Sequence, residues 1–592
     1  MTRSLQVQAD LTVDLQPIDI GPVAFDADPL LQRELEAEYL VNRRQRFKTL
    51  VNRLTGGAMQ RALGSHPDAE LIAFPLSYLY ALRWLRESVH PRYRSAVLAR
   101  FRSPSRGFLM DLLEHAEDEG GFLRGYLEHW LNVPQGGLQR QQQQVSELLD
   151  RHGGGSAKLI EVMLQAWDEL QLFRRTEKEA YRELGREERQ RYAGMLGPED
   201  RERLSLVDAL PDPRPEAPRF AKLGIIPAMG CPQTCRHCMF IWRPPMRNTP
   251  EPDRLMELVD GCTDSVLFTG GDLTRHLDAY DRAIRSMPRV RTFAILLNGE
   301  FASDLHAADT TLGAMAEAVR SRPAGWAEAQ VLLQVSFDEF HQEILADRDG
   351  RLMERIPVTK IANIVERAVH YPEIQLCLLH KQNALNFSMD LFRRGVFGRL
   401  ARELGRRGHQ VQILGAAPSP RMKRNPLDPQ QTGRVVKDAS FVLTRYPERP
   451  VLLTSSTIDA YGRATLLEEG EAVDEREQLQ RVLREGATAG EGFDTDLMFW
   501  FNGWTTLFSA VHICLGDLYR DGAEVIFARR RKDPLVRCLA SFDRRLLALY
   551  SEVRTDLQER LRRATSPHQL FHSITEDAQV RLHMTRRLLD EP

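Results

Sequence analysis

The chain has 592 residues, which is too long for one hydrophobic core and predicts roughly three or four domains. Hydrophobic residues make up 42% of it and charged residues 27%, as in an ordinary globular protein. The 80 basic and 82 acidic residues nearly cancel to a formal net charge of -2, and no half of the chain is a basic tract. Nucleic acid is therefore not an expected partner.

No segment of the sequence indicates a membrane anchor or an export signal. The longest apolar run, LIAFPLSYLYAL from Leu71, is interrupted by Pro75 and is shorter than the roughly 20 residues that span a bilayer. The amino terminus lacks the basic flank and apolar core of a signal peptide. We therefore expect a cytoplasmic protein without a membrane partner, in which thiols stay reduced.

The amino-terminal third of the chain is predicted to be helical. After an amino-terminal arm of residues 1–27, apolar residues recur at three- and four-residue intervals through residues 28–209, as on the buried faces of helices. The proline-rich sequence LPDPRPEAPR occupies residues 210–219 and reads as a linker. The pattern predicts a helical domain that is separated from the rest of the chain.

Residues 220–418 alternate between short β-rich runs and amphipathic helical stretches. The β-rich runs are KLGIIPA from Lys222, SVLFTG from Ser265, TFAILLN from Thr292, VLLQVSF from Val331, IQLCLL from Ile374 and VQILGAA from Val411. This alternation predicts an α/β domain with a parallel sheet, curled or open, that binds its ligand at the carboxyl ends of the strands. In residues 419–592 the alternation fails. A hairpin at PVLLTSSTIDAYGRATLL followed by helices predicts a smaller α+β extension.

Three of the seven cysteines lie within eight residues, in the sequence GCPQTCRHCMF at Gly230–Phe240. Cys231, Cys235 and Cys238 have the spacing CxxxCxxC, which lets one short loop fold three thiolates around one small object. The inert alternatives are a structural zinc, with His237 or a remote residue as fourth ligand, and a chance group of buried thiols. Structural zinc sites close with four protein ligands, whereas an iron-sulfur cube on three cysteines leaves one iron open for chemistry. The spacing favours the cube.

This motif resembles that of the radical S-adenosylmethionine (radical SAM) enzymes, in which CxxxCxxC occupies the loop after the first strand of a partial (β/α)6 barrel. The resemblance covers roughly residues 219–418 and includes motifs at later strand ends. It implies one [4Fe-4S] cluster on Cys231, Cys235 and Cys238. It also implies a TIM-like partial barrel at 220–418, between the helical domain and the extension at 419–592.

The resemblance further implies where S-adenosylmethionine (SAM) would bind. TGGD at Thr269–Asp272 stands where the family has a GGE-type motif, although this chain has Asp where Glu is commoner. Asn298 in LLNGE closes the third strand, and VSFDEFHQE is similar to the family's vSiDg...H stretch. His237, Phe240 and Gly415 are expected beside the adenine. The implied cofactor-binding residues are His237, Phe240, Thr269, Gly270, Gly271, Asp272, Asn298, Ser336, Asp338 and Gly415.

Members of this family use one electron from the reduced cluster to cleave SAM into methionine and a 5′-deoxyadenosyl radical, which takes a hydrogen atom from the substrate. The resemblance therefore implies an enzyme that acts on a peptide of the ribosomally made, post-translationally modified (RiPP) type or on a natural-product intermediate. An external flavodoxin- or ferredoxin-type electron donor is implied as well, because the chain has no flavin fingerprint.

The remaining cysteines help to predict which kind of radical SAM enzyme the chain resembles. VHICLGDLYRDGAEVIF resembles part of the SPASM-like extension in which many peptide-modifying members hold an auxiliary cluster. Only Cys514 and Cys538 lie in that region, so we predict one cluster and two core thiols. Cys377 lies on the predicted fifth strand, where strand alternation leaves its facing open. Facing inward, Cys377 could return a hydrogen atom to a substrate radical, as radical SAM peptide epimerases do; the alternative is a core cysteine.

Three hypotheses remain open from the sequence. The leading one is a radical SAM enzyme of a peptide or natural product, with the Cys377-dependent epimerase as a variant. A second class is a noncatalytic zinc or iron-sulfur protein that senses or carries electrons. Cobalamin-dependent methylation is the third, and it is disfavoured because the amino-terminal region lacks alternating strands.

Overall fold

The computed structural model describes residues 4–6, 12–14, 31–99, 112, 116–132, 139–170, 196–212, 219–228, 231, 233, 235–238, 252–381, 395–424, 432–456, 462–467 and 475–590. The chain forms two compact units. The sheet unit comprises residues 1–27, 184–343 and 355–592, and the helical unit comprises residues 28–183 and 344–354. Among the described residues, no helix combines the length and apolar character needed to cross a membrane.

The strands are numbered in chain order. They are β1 (Ser4–Gln6), β2 (Thr12–Asp14), β3 (Leu223–Ile226), β4 (Ser265–Phe268), β5 (Thr292–Leu297), β6 (Gln330–Ser336), β7 (Ile344–Ala346), β8 (Leu352–Glu354), β9 (Ile374–Lys381), β10 (Val411–Arg424), β11 (Thr432–Leu443), β12 (Val451–Ser456), β13 (Leu497–Trp500), β14 (Trp504–Leu507) and β15 (Cys514–Asp517).

The described α-helices are numbered in the same way. Those of the helical unit are α1 (Leu31–Arg53), α2 (Met59–Leu63), α3 (Ala69–Ser88), α4 (Pro91–Leu98), α5 (Glu119–Asn132), α6 (Gln139–Arg151) and α7 (Ser156–Glu169). Those of the sheet unit are α8 (Pro198–Asp208), α9 (Pro252–Cys262), α10 (Leu277–Ser286), α11 (Leu305–Arg320), α12 (Val358–Ala368), α13 (Gly395–Arg406), α14 (Arg476–Glu485), α15 (Leu518–Asp521), α16 (Ala523–Lys532), α17 (Pro534–Leu539), α18 (Arg545–Val553), α19 (Leu557–Arg563), α20 (Pro567–Thr575) and α21 (Ala578–Asp590).

A mixed, mostly parallel sheet of eleven strands is the centre of the sheet unit. Its order is β10-β11-β12-β9-β6-β5-β4-β3-β13-β14-β15. The seven strands from β12 to β13 are parallel to their neighbours, and two further strands pair antiparallel at each end. The predicted α/β class is confirmed, and the first five predicted strands are the parallel neighbours β3, β4, β5, β6 and β9.

The sixth parallel strand differs from the one that the sequence predicts. VQILGAA does form a strand, β10, but β10 pairs with β11 in antiparallel orientation and lies two strands away from β9. The sixth parallel strand is instead β12, which pairs with β9. The sequence predicted this run as the first strand of a hairpin. In the described residues, the second half of that predicted hairpin contains a 3-10 helix at Gly462–Leu466. The hairpin prediction is therefore wrong. The runs that form β10 and β12 are both apolar, and only their pairing with distant strands shows which of them is the parallel strand.

One face of the parallel strands packs against the crossover helices. Val266, Ile295, Leu333 and Leu376 belong to a large core that includes residues of α9 to α13. The intervening residues form a second face, which is defined from β4 to β12 by Ser265, Leu267, Ala294, Leu296, Leu332, Gln334, Ser336, Gln375, Cys377, Leu379, Leu452 and Thr454. Several members of this second face are only half-buried, including Leu296 and Gln334. The second face is thus less apolar than the helix-packed face.

The helical unit contains a β-hairpin that the sequence analysis did not identify. The chain leaves the sheet unit after Glu343, forms β7 and β8, and returns at Arg355. Ile344 and Leu352 of the hairpin join the apolar core of the helical unit, and the Tyr93 hydroxyl donates to the Gly350 carbonyl at 2.8 Å. Helices are present as the pattern predicts, but the bounds of the predicted helical domain at residues 28–209 differ from those of the helical unit. Helix α8 (Pro198–Asp208) belongs to the sheet unit, and the β7-β8 hairpin belongs to the helical unit.

Gly350 at the hairpin turn gives a test of how the hairpin is held. Gly350 has φ +79°, and a Cβ atom on it would lie 2.7 Å from the His90 ring, whereas Gly325 has φ +94° with nothing within 4 Å. We expect Gly325→Ala to cost about 1 kcal/mol of stability through its left-handed backbone, and Gly350→Ala to cost roughly 1–3 kcal/mol more through the clash. Calorimetric unfolding of both variants measures the difference, and equal losses would contradict this packing.

Candidate functional site

The loop after β3 carries the three clustered cysteines. Cys235 is buried, and Cys231 and Cys238 are half-buried. The backbone N–H of Cys238 donates to the carbonyl of Cys235 at 3.3 Å, which forms a tight turn between the last two cysteines. The loop therefore starts at the carboxyl end of a parallel strand, the edge at which α/β sheets bind ligands.

The three thiols are close enough to influence one another's ionisation. Burial, together with the charges of Asp272 and Cys238, raises the pKa of Cys231 to about 11. Burial also raises the pKa of Cys235 well above its ordinary value; the charge of Arg355 opposes this rise, and the other two cysteines add to it. Three thiolates in this loop would repel one another, so a positively charged metal group would be their natural partner.

A single ion held by these cysteines finds little support in the geometry. In the part of the chain that the structure describes, one group of three His, Cys or carboxylate ligand atoms lies within 4.8 Å of one another, and it consists of His237, Asp338 and His341. No cysteine belongs to that group. The ligands of one zinc ion must converge on a point, whereas the cysteines of a cube bind three different irons and are spread more widely. Among the described residues, the three cysteine sulfurs are therefore not already gathered around the position of one zinc ion.

Arg463 forms hydrogen bonds to backbone carbonyls of the cysteine loop. The buried Arg463 guanidinium donates from Nη1 to the carbonyls of Gln233 and Cys235 at 3.4 and 3.3 Å. The backbone N–H of Arg463 donates to the carbonyl of Cys238 at 3.0 Å. One residue on the 3-10 helix after β12 therefore satisfies three carbonyls of the loop. Sequence reasoning missed Arg463, because no local pattern links it to a loop more than two hundred residues earlier.

A second attachment of the loop passes through Glu300. Gln233 Nε2 donates to Glu300 Oε1 at 3.2 Å, and Lys360 Nζ donates to Glu300 Oε2 at 2.6 Å. Glu300 follows β5, and Lys360 lies on α12. The loop is thus joined to the carboxyl end of β5, which is separated from β3 by β4 in the sheet. The LLNGE sequence contains this glutamate, although the sequence analysis assigned a role only to its asparagine.

The TGGD turn after β4 packs directly against the chain that leads into the cysteine loop. Thr269 N–H donates to the Ile225 carbonyl at 3.1 Å, and Gly271 N–H donates to the Ala228 carbonyl at 3.4 Å. Gly270 has φ +140°, and a Cβ atom there would lie 2.6 Å from the Ala228 carbonyl oxygen. Glycine is therefore required by this backbone approach.

The Asp272 side chain has a local structural role. Its Oδ1 accepts a hydrogen bond from the Thr274 backbone N–H at 3.2 Å and caps the short 3-10 helix at Leu273–Arg275. This cap occupies the carboxylate that the family resemblance places in the GGE-type motif. The cap uses only Oδ1, and the predicted roles of the Asp272 side chain and of the TGGD backbone in SAM binding stay predictions.

Asn298 and Ser336 lie on the second face at the carboxyl ends of β5 and β6. Both are about nine-tenths buried. Asn298 Oδ1 accepts from the Glu300 N–H at 2.9 Å, but its buried Nδ2 has no hydrogen-bond partner among the described residues. A buried donor without a partner is costly, so it indicates a place for a ligand acceptor.

His237, Asp338 and His341 converge at the end of β6. Asp338 Oδ1 accepts from the backbone N–H groups of Phe340 and His341, and Oδ2 lies 3.0 Å from His341 Nδ1 and 3.9 Å from His237 Nε2. Burial would raise the pKa of Asp338, but the charges of His341 and His237 and the His341 hydrogen bonds outweigh it and hold this pKa well below its usual range. The His237 ring also stacks at 4.6 Å on Phe340.

Cys377 faces the same side of the sheet as Ser336. It lies beside Gln334 of β6 and Leu452 of β12 in the parallel register, and it packs in a small apolar cluster with Leu452. Its Sγ is 3.0 Å from Thr454 Oγ1. Burial raises the pKa of Cys377 to about 11, so the sulfur keeps its hydrogen at neutral pH. The Cys377 side chain, whose direction the sequence left open, thus lies on the second face, and its thiol is buried.

The other sequence-predicted residues lie elsewhere or outside the described residues. Phe240 falls outside the described residues. Gly415 is on the antiparallel strand β10. Its predicted adenine contact assumed a position on a sixth parallel strand, which β10 is not. Cys514 and Cys538 are buried core residues, as predicted.

Comparisons with known proteins leave the family open. No protein-family model matches the chain, and no curated protein matches it at a significant level. The functional interpretation therefore depends on the residues and their arrangement.

Removing the Arg463 side chain should loosen the cysteine loop without unfolding the sheet. We expect Arg463→Ala to hold less than half of the iron of the unsubstituted chain, which would bind about four irons in a complete cube. The reason is that the carbonyls of Gln233 and Cys235 lose their donor. Iron and sulfide analysis after anaerobic reconstitution measures this loss. The exposed Arg445→Ala is the matched control, and full iron content in Arg463→Ala would contradict the role of Arg463.

Proposed function

We propose that the chain is a radical SAM enzyme, with one [4Fe-4S] cluster on Cys231, Cys235 and Cys238. The substrate would be a RiPP-type peptide or a natural-product intermediate. One observation carries the proposal: the cysteine motif, TGGD, LLNGE and VSFDEF follow four successive strands, β3 to β6, which are parallel neighbours. Four motifs that are separate in sequence thus meet at one edge of the sheet.

The order of the strands supports a partial (β/α)6 barrel. β3, β4, β5, β6, β9 and β12 follow one another across the sheet in chain order. In a doubly wound sheet the order reverses, and helices then cover both faces. With no reversal, right-handed crossovers put their helices on one face, and the other face is left to line a cavity when the sheet curls. β12 would be the sixth strand of such a barrel.

The residues at this edge fit the two cofactors. When bound, the reduced cluster would supply one electron to SAM and so give methionine and a 5′-deoxyadenosyl radical that takes a hydrogen atom from the substrate. The three thiols would hold the cluster, and the TGGD backbone would meet the amino group of SAM. The unpartnered Nδ2 of Asn298 and the hydroxyl of Ser336 would bind polar atoms of SAM.

Apolar residues beneath these polar groups would protect the reaction from water. Leu267, Ala294 and Leu332 lie in one apolar cluster on the second face, one to four residues before the ends of β4, β5 and β6. Such a floor would limit solvent access to a reactive radical. A flavodoxin- or ferredoxin-type protein would deliver the electron from outside the chain.

The proposal is tested by product analysis. Anaerobically reconstituted protein with dithionite and SAM should release 5′-deoxyadenosine, and Cys235→Ala should abolish this because the cluster loses a ligand. Cys262→Ala, which removes a buried thiol on α9, is the matched control and should stay active. Protein that holds a full cluster but releases no 5′-deoxyadenosine would overturn the proposed enzymatic activity and favour an electron carrier. One zinc per chain without sulfide would favour the zinc protein instead.

A peptide epimerase is the second candidate, because Cys377 faces the second face. The protonated thiol could give its hydrogen atom to a substrate α-carbon radical, and the resulting thiyl radical would need an electron and a proton from the external donor system and solvent. The buried position of Cys377 requires the substrate to reach beneath the strand ends.

We expect Cys377→Ala to keep forming 5′-deoxyadenosine from SAM but to lose solvent deuterium incorporation at the substrate α-carbon. The reason is that radical formation does not need this thiol, whereas return of hydrogen does. Mass spectrometry of the product in deuterated water measures the incorporation, and Thr454→Val, which keeps the thiol, is the control. Unchanged incorporation in Cys377→Ala would remove this residue from the reaction.

A further inference from the structure

Two histidines and one carboxylate meet between the cysteine loop and the end of β6. His237 belongs to the loop, while Asp338 and His341 belong to the turn after β6. Their ligand atoms lie within 4.8 Å of one another, and their side chains are 7%, 1% and 15% exposed, respectively. We propose that this trio binds one divalent transition-metal ion at a site separate from the cluster.

The carboxylate is already oriented for such an ion. Two backbone N–H groups, from Phe340 and His341, donate to Asp338 Oδ1 at 2.9 Å each. This fixes the carboxylate and directs Oδ2 toward both imidazoles, at 3.0 and 3.9 Å. A metal site needs its ligands held before the ion arrives, and backbone donors to a ligating carboxylate are a usual means of doing so.

The histidine from the loop is held as well. The His237 ring lies against Phe340 at 4.6 Å and meets the His341 ring edge-on at 4.8 Å. The Arg236 guanidinium covers the Phe340 ring at 5.3 Å. Its charge is offset by Glu343, whose Oε1 lies 3.6 Å from Arg236 Nε. Glu343 Oε2 also accepts from Arg355 Nη2 at 2.7 Å, so one carboxylate pairs with two guanidiniums. The two ring contacts restrict the imidazole.

The ligand set selects the class of metal. Two neutral imidazoles and one carboxylate suit Zn²⁺, Fe²⁺ or Co²⁺ rather than Mg²⁺ or Ca²⁺, which prefer oxygen ligands. Three protein ligands leave at least one coordination position open, as in reactive rather than purely structural sites. The bound ion would join the cysteine loop to the end of β6 and could take a ligand group in its open position.

This site changes the roles of two residues in the SAM interpretation. That interpretation uses His237 and Asp338 as contacts of the cofactor, whereas a metal ion would engage both side chains. Asn298 and Ser336 would then remain for SAM. The metal proposal does not depend on SAM chemistry, because none of its three ligands is a cysteine.

The test uses the full chain with Cys231, Cys235 and Cys238 replaced by Ala, so that no cluster can form. After chelation, Co²⁺ is added without oxygen. We expect one equivalent per chain to give visible ligand-field bands without sulfur-to-metal charge transfer. His341→Ala in the same background should weaken Co²⁺ binding by more than the roughly 10–100-fold that loss of an outer-shell partner costs. His306→Ala, at an exposed histidine, is the matched control.

A second measurement guards against misfolding of the chain with the three loop cysteines replaced. In the chain with all cysteines present, His341→Ala should lose one zinc equivalent on metal analysis while retaining the iron and sulfide of the cluster. The proposal is overturned if the folded triple-Ala chain binds no Co²⁺, or if His341→Ala binds it as tightly as the His306→Ala control. Failure of the radical SAM function, by contrast, would appear as absent 5′-deoxyadenosine with this metal still bound.

Discussion

The arrangement of the site depends on six parallel strands, β3, β4, β5, β6, β9 and β12, which follow one another across the sheet in chain order. The helices α9 to α13 pack with one face of these strands, and the second face keeps polar and half-buried residues such as Gln334. Parallel strands also bring their carboxyl ends to one edge. Motifs that are far apart in the sequence are thereby brought together, and contacts such as that between Gln233 and Glu300 then join them.

The cysteine loop is held to this edge by contacts to its backbone and to Gln233. Arg463 binds three of its carbonyls, and Glu300 binds the Gln233 side chain. The TGGD turn packs against the segment before it, with Gly270 allowing the close approach. None of these contacts uses a thiol. Burial raises the pKa values of Cys231 and Cys235, the charges of neighbouring cysteines add to the rise, and a metal group would relieve that repulsion.

Sequence patterns predicted the parts of the site that depend on local chemistry. Apolar runs located β3 to β6 and β9, and the strand ends located Asn298 and Ser336. Partners distant along the chain could not be found in this way. β10 and β12 have similar apolar patterns, so only pairing distinguishes them, and nothing near Arg463 in the sequence indicates its contacts. The β7-β8 hairpin had a local signal, the DRDG turn, but it was overlooked within a region expected to continue the α/β alternation.

Asp338 illustrates how a structure can add a competing role to a residue chosen from sequence. The motif alone assigns it to SAM, because a polar residue at a strand end is a natural cofactor contact. In the fold, the carboxylate is fixed by its own turn and lies between two imidazoles, one of which comes from the cysteine loop. A buried carboxylate in that position needs positive charge, and protonated histidine or a metal ion can each provide it. The metal ion also leaves both rings neutral, which avoids placing two like charges in contact.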